Sequence, residues 1–145
     1  MPEPQFRQAA QRHFRDALYL RGDGHLANAD HLSGFAAECA IKGLVVEHLG
    51  GRIVGEFPYT STNLKLQMHI ASLWSTVASL AVGRSEPEVV ALFQGQNPFR
   101  DWNVSDRYSE GSHLTATTVS NHLAGAERAI VALEAAALSM NDGSV

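Results

Sequence analysis

Arg107 and His113 are the residues of this chain whose types and spacing best suit a chemical reaction. An arginine guanidinium holds a phosphate through a planar set of N–H donors. A histidine titrates near neutral pH, and it therefore accepts or donates protons during a reaction. Together they are the minimum set for cleaving an RNA phosphodiester without a metal ion: Arg107 would bind the phosphate and His113 would move a proton. The alternative is an exposed loop arginine followed by a histidine that caps the last helix.

Tyr108 directly follows this arginine, and Phe99 and Trp102 precede it in the same segment. An aromatic ring beside an arginine can stack on a nucleic-acid base. Such a ring can also anchor a long loop to a helical core, which is the role that we expect for Phe99 and Trp102. For Tyr108, base stacking and loop anchoring are both open at the level of the sequence.

Glu38 and Lys42 form a second pair of interest, four residues apart in a segment with helical periodicity. This order and spacing favour an ion pair within one helix. Because apolar residues flank both charges, the pair can face another helix or a dimer interface, where it would position Arg107. The alternative is a surface salt bridge that contributes little to stability.

The seven histidines and the single cysteine do not form a recognisable metal or thiol site. No His-x-x-x-His or His-Glu-x-x-His pattern occurs, so we predict neither a metal nor a cofactor. His69 is expected to be a polar core or interface residue. Cys39 falls on an apolar helical stripe and is expected to be a packing residue. A lone cysteine permits no disulfide within the chain, which indicates a reducing compartment.

The composition is that of a folded domain, because 45% of the 145 residues are hydrophobic and 18% are charged. The formal net charge of -4 argues against a broad electrostatic surface for nucleic acid, but it is compatible with a small basic site. The first residues lack a basic segment followed by an apolar one, and no apolar run is long enough to span a bilayer. We therefore expect one cytoplasmic domain over residues 1–145, without a membrane segment.

The spacing of apolar residues predicts four long helices and one short helix. The first two are expected over about residues 5–20 and 26–49, the third from near Asn63 through Leu80, and the last from near Thr117 to near Met140. No sustained two-residue alternation occurs, so no sheet is expected. Because short connections favour antiparallel neighbours, the predicted fold is an all-α, antiparallel up-and-down bundle.

Local signals refine the predicted ends of these helices. Ser61 or Thr62 is the expected N-cap of the third helix. Ser85 begins a capping-box pattern ahead of the short helix, with a proline in its first turn. A flexible tail is expected over about residues 141–145. Small residues on the second helix would let another helix approach closely, and they mark the expected interface of a dimer: Gly34, Ala36, Ala37, Ala40 and Gly43.

Three parts of the chain resemble the HEPN superfamily, which is named for higher eukaryotes and prokaryotes nucleotide-binding. Residues 29–44 look like the family's second helix, with small residues and an Ala-Glu-x-x-x-Lys signature. His69, followed by Ile70 and Leu73, is similar to a histidine and a spaced apolar pair on the family's third helix. Residues 106–108, ahead of a final amphipathic helix, resemble the Arg-Tyr of small bacterial members. The resemblance extends over nearly the whole chain.

The resemblance implies an antiparallel helical bundle that dimerises. Active members of the family are metal-independent RNases in which an arginine, followed after four to six residues by a histidine, meets its copy at the dimer interface. Arg107 and His113 match that spacing, so the resemblance implies a composite endoribonuclease site. Tyr108, Glu38 and Lys42 are then expected to bind the substrate or to support the site.

The resemblance also implies partners. Many relatives are toxins or defence effectors paired with a small nucleotidyltransferase antitoxin, whereas other relatives are RNA-binding or inactive modules. The Arg–His spacing favours an endoribonuclease that acts as a homodimer on RNA. The acidic net charge favours a non-catalytic module that binds a nucleotide or RNA, or docks a nucleotidyltransferase. Tyr108 favours the same alternative, because nuclease members often have Asn, Asp or His at that position.

Overall fold

The computed structural model describes the backbone of residues 3–143 and the side chains of residues 3–138. This part of the chain is mostly helical, with five α-helices and one small sheet. The elements in chain order are α1 (Phe6–Gly22), α2 (Leu26–His48), β1 (Arg52–Val54), β2 (Phe57–Tyr59), α3 (Ile70–Leu80), α4 (Pro87–Leu92) and α5 (Ala116–Gly143). A short 3₁₀ helix, Val104–Tyr108, precedes α5.

The helix α2 is the central element and packs against α1, α3 and α5. Its small residues are used inside the subunit. A Cβ on Gly43 would lie 3.1 Å from a methyl carbon of Leu133 and 3.4 Å from the Cβ of Phe6. Ala36, Ala37 and Ala40 are fully buried. The expected dimer interface on this stripe is therefore wrong, because α1 and α5 already cover it.

The prediction that the chain has no sheet is wrong. Strands β1 and β2 form an antiparallel hairpin in which Ile53 pairs with Pro58, and Gly55 adopts φ 65 in the turn. Each strand contains only three residues. A strand this short does not produce the repeated alternation by which strands are recognised in a sequence.

The third helix begins later than predicted, at Ile70 rather than near Asn63. Asn63 has φ 71, in the left-handed region, and the Oγ1 of Thr60 accepts a hydrogen bond from the backbone N–H of Leu64 at 3.0 Å. This local turn replaces the first predicted turns of the helix. Leu66 is nevertheless fully buried, so its apolar character signalled the core but not a helix. The expected caps Ser61 and Thr62 are also wrong, because His69 precedes the helix.

The remaining ends differ in smaller ways. Helix α4 begins at Pro87 and is preceded by Glu86 without a side-chain cap, so the predicted capping box at Ser85 does not form. Helix α5 begins at Ala116 and extends to Gly143, beyond the predicted end near Met140. Residues 144–145 of the predicted tail lie outside the described residues. Within the described part, no helix is both long and apolar enough to cross a membrane.

Candidate functional site

The loop that carries the sequence-predicted site is anchored to α2 by Trp102. The side chain of Trp102 is buried, and its Nε1 donates a hydrogen bond to the backbone carbonyl oxygen of Asp30 at 2.9 Å. Gly34 makes room for the indole, because a Cβ there would lie 2.2 Å from the ring. Phe99 is fully buried in the main core. The expected anchoring role of Phe99 and Trp102 is thus confirmed.

His122 of α5 fastens the same loop through two carboxylates. Its Nδ1 donates to Asp30 at 2.5 Å and its Nε2 donates to Asp101 at 2.7 Å, while the ring stacks on Phe99. Burial is the largest single influence and lowers the pKa of His122, but the two hydrogen bonds and the two negative charges together raise it. The hydrogen bond from His122 in turn lowers the pKa of Asp101. A charged imidazolium held between two carboxylates therefore joins α2, α5 and the loop.

The 3₁₀ helix holds Arg107 at the surface. This short helix begins after Asn103, whose side chain accepts a hydrogen bond from the backbone N–H of Ser105 at 2.8 Å. The Arg107 guanidinium lies over the Tyr108 ring, 4.8 Å from its centre, and the side chain of Tyr108 is highly exposed. No residue in the described part of the chain forms an ion pair with Arg107. Its N–H donors are thus available to an anion.

His113 follows the 3₁₀ helix in the loop before α5. Its side chain lies near the carboxylate of Asp106. Its Nε2 lies 3.4 Å from a carboxylate oxygen of Asp106, and about half of its side chain is exposed. The structure records no contact between His113 and Arg107. The two residues of the sequence motif are therefore near neighbours in the chain without forming a direct pair.

The predicted ion pair of Glu38 and Lys42 forms within α2, with 3.0 Å between Nζ and Oε2 and both side chains largely buried. The second oxygen of Glu38 accepts a hydrogen bond from the Nδ1 of His69 at 3.0 Å. The carboxylate therefore orients His69, and no contact with Arg107 is recorded. Because Nδ1 donates to Glu38, the Nε2 of the half-exposed His69 ring is left for another partner.

Three histidines surround the ring of Phe35, and we call this group the Phe35 histidine cluster. The ring centre of His31 lies 4.7 Å from that of Phe35, and those of His13 and His69 each lie 6.0 Å from it. Trp102 packs against the same ring and against His31. The cluster brings together α1, α2, the segment before α3 and the anchored loop.

Burial and nearby charge favour the neutral form of two of these imidazoles. Burial lowers the pKa of His31, and the positive charge of Arg107 lowers it further. Burial also lowers the pKa of His13, with a further contribution from Arg12. The Nδ1 atoms of His13 and His31 are buried without a hydrogen-bond partner in the described chain. Unsatisfied buried nitrogens of this kind are uncommon and are typical of functional sites.

The 3₁₀ helix that carries Arg107 packs against α2, which also carries His31 and Phe35 of the Phe35 histidine cluster. This group was not predicted from the sequence, since His13, His31 and His69 come from three separate segments. The spacing of His31 and Phe35, four residues apart on one helix, was the only local signal. The arrangement combines a free guanidinium, neutral imidazoles and an oriented imidazole, which suits anion binding and proton transfer.

Metal binding and thiol chemistry find little support in this arrangement. In residues 3–143, no group of three or more His, Cys, Asp or Glu residues is placed to hold a metal ion. Burial raises the pKa of the Cys39 thiol to about 11, and the charge of Glu38 adds to the effect. The thiol is therefore protonated at neutral pH and is a poor nucleophile.

Comparison of the chain with protein-family models, with curated proteins and with solved structures gave no match.

Proposed function

We propose that the protein is a metal-independent endoribonuclease of HEPN type, in which Arg107 binds the scissile phosphate. The observation that carries the proposal is the free guanidinium of Arg107 on a 3₁₀ helix that packs against α2, the helix that carries His31. A guanidinium neutralises the charge that develops on a phosphate during cleavage. Imidazoles remove and supply the protons without a metal. The product would carry a 2′,3′-cyclic phosphate.

We further propose that the chain folds as a HEPN-like bundle and acts as a cytoplasmic homodimer in a toxin–antitoxin or defence system. In that assembly Arg107 and His113 of each subunit line a shared cleft, with a small nucleotidyltransferase as the antitoxin. Two features support a shared cleft. Tyr108 is 79% exposed, and His113 has about half of its side chain in solvent. Large exposed side chains beside a free charge are what a partner surface or an RNA strand would cover.

A second candidate function is a non-catalytic module that binds a nucleotide or RNA. The observation that favours it is the separation of the motif, because His113 is directed at Asp106 rather than at Arg107. In this case Arg107 would hold a phosphate and Tyr108 would stack on a base.

The test is incubation of the purified protein with total RNA in excess EDTA, beside the double variant Arg107→Ala/His113→Ala. The proposal expects cleavage by the wild type and a large loss in the double variant. Cleavage products should carry cyclic phosphate ends. An unchanged rate in the double variant would contradict the proposed site. No cleavage by antitoxin-free wild type, together with tight binding of a nucleotide by calorimetry, would support the binding module instead.

A further inference from the structure

The 3₁₀ helix that carries Arg107 packs against α2, which carries His31, and the structure records no contact between Arg107 and His113. We propose that His31 and His69 are the proton-transfer residues of the site. This inference rests on the proposed RNase function and changes which histidines carry it out.

Two different segments of the chain place His31 and His69 close to Phe35. His31 and His69 come from α2 and from the residue before α3, and both lie against the same Phe35 ring, within 6.0 Å between ring centres. Trp102 packs against Phe35 and stacks on His31. The 3₁₀ helix that carries Arg107 packs against α2. Two imidazoles therefore share one aromatic ring, and the segment that carries the guanidinium packs on the same helix as that ring.

His31 is suited to accept a proton. Burial and the charge of Arg107 lower its pKa, with a smaller contribution from His69, while the carboxylates of Asp30 and Asp106 oppose them. The net effect favours the neutral ring at neutral pH. The structure records no hydrogen bond to this ring, so no protein group fixes the nitrogen that carries the proton. A bound ribose hydroxyl would find an available acceptor.

His69 is suited to donate a proton. Its Nδ1 donates to Glu38 at 3.0 Å, and Lys42 holds that carboxylate from the other side at 3.0 Å. A carboxylate behind an imidazole fixes its orientation and balances the charge of its protonated form. The side chain of His69 is 47% exposed, whereas that of Glu38 is 13% exposed. The supporting carboxylate is thus buried and the outer edge of the ring reaches solvent.

The reaction follows from this placement. The 2′-oxygen of the ribose attacks phosphorus, and its proton passes to His31. The bond between phosphorus and the 5′-oxygen breaks, and His69 gives its proton to that oxygen. Arg107 neutralises the non-bridging oxygens as charge builds on them. The products are a 2′,3′-cyclic phosphate and a 5′-hydroxyl end, and proton exchange with water restores both histidines.

The test is single-turnover cleavage of a short fluorescent RNA in EDTA between about pH 5 and about pH 9, a range that spans the ordinary histidine pKa. The variants are His31→Gln, His69→Gln and His113→Ala, with His25→Ala as the matched control. His25 is an exposed histidine before α2 with no recorded side-chain contact. Circular dichroism checks that each variant is folded. If His69→Gln does not fold, His69→Asn is used in its place.

The inference expects His31→Gln and His69→Gln to lose about 10²–10⁴-fold in rate, as is typical for removal of a general acid or base. His25→Ala should stay within a few-fold of wild type. The wild-type rate should rise from acidic toward neutral pH. His31→Gln should abolish that rise, whereas His69→Gln should lower the rate. A purely structural role of His31 would lower the rate without removing the rise.

The outcomes separate the two proposals. If the wild type cleaves and both glutamine variants keep its rate, this inference is overturned while the RNase proposal stands. If His113→Ala alone loses activity, the sequence motif carries the reaction and the inference is again overturned. If the antitoxin-free wild type does not cleave, the RNase proposal fails, and the proton-transfer roles fail with it.

Discussion

The indole N–H of Trp102 donates to the backbone carbonyl of Asp30 at 2.9 Å and so ties the loop before Arg107 to α2. The indole fits only because residue 34 is glycine, with the ring at 2.2 Å from where a Cβ would stand. The position of the loop before Arg107 therefore depends on residue 34 having no side chain. A rigid support of this kind is what a site for phosphate or proton transfer requires.

The substitution Gly34→Ala should destabilise the protein by about 1–3 kcal/mol, because the added methyl group overlaps the Trp102 ring. The matched control is Gly22→Ala, at the end of α1, where no atom lies within 4 Å of the added Cβ. That change should be neutral or stabilising by up to about 1 kcal/mol, since alanine favours a helix more than glycine does. Urea unfolding followed by circular dichroism measures both, and equal free energies of unfolding would contradict the tight fit.

The link between His122, Asp30 and Asp101 predicts how stability depends on pH. The folded pKa of His122 is raised, so its stabilisation is complete below the unfolded value of about 6.5 and is lost as pH rises through the folded pKa. The folded pKa of Asp101 is lowered, so its stabilisation is present above about 3.9 and is lost as pH falls through its folded pKa. Their joint contribution is therefore largest between these two values.

The pKa shifts of His13 and His31 make stability depend on pH in the opposite way. Their folded pKa values are lowered, so the unfolded chain binds more protons and their contribution grows as pH rises to about 6.5. Well above that pH both rings are neutral in both states. A fall in stability just above neutral pH therefore reports His122, whereas a fall above about pH 9 also includes Cys39, whose pKa is raised to about 11 in the folded protein.

We expect the free energy of unfolding of the wild type to decrease as pH rises from about 6.5 to about 8, below the range in which Cys39 titrates. The decrease should be absent in His122→Gln, which also leaves the carboxylate of Asp30 buried without its charged partner, at a cost of about 3–5 kcal/mol. The measurement is a series of urea titrations across this pH range. A wild-type stability that stays flat, or increases with pH, would contradict a charged His122 in the folded protein.

The sequence predicted those features that depend on local spacing. The ion pair of Glu38 and Lys42 lies within one helix, and Trp102 is a large apolar ring in a polar loop. Both therefore leave a signal in a short stretch of sequence. The start of α3 was missed because Leu64, Leu66 and other apolar residues before it imitate a helical stripe.

The Phe35 histidine cluster could not be predicted in the same way. His13, His31 and His69 meet only after α1, α2 and the segment before α3 have packed together. His122 and Asp30 are likewise separated by 92 positions in the chain. Isolated histidines carry no spacing signal, and their chemistry appears only with the tertiary structure.

The contact between Glu38 and His69 predicts a single tautomer of the His69 ring. In the wild type the ring should carry its proton on Nδ1 when neutral, because the carboxylate accepts from that atom at 3.0 Å. Nitrogen-15 spectra of the ring distinguish the two tautomers. Glu38→Ala should give a mixture, whereas Glu38→Gln keeps an acceptor oxygen and should retain part of the preference. A neutral wild-type ring protonated on Nε2 would contradict this orientation.

Arg107→Ala should weaken the binding of a short RNA in which every 2′-hydroxyl is methylated. A methylated 2′-oxygen cannot attack phosphorus, so this RNA is not cleaved by that route. A lost hydrogen bond to a charged group corresponds to about 1.5–3 kcal/mol, or roughly 10- to 100-fold in affinity. Arg15→Ala is the control, because it removes the same charge from an exposed position on α1 with no recorded contact. Fluorescence anisotropy at several salt concentrations gives both the affinity and its salt dependence. The slope of log affinity against log salt should fall by about 1 for Arg107→Ala if the guanidinium contacts a phosphate. Equal losses of affinity in the two variants would show that net charge matters and that Arg107 has no specific contact with the RNA.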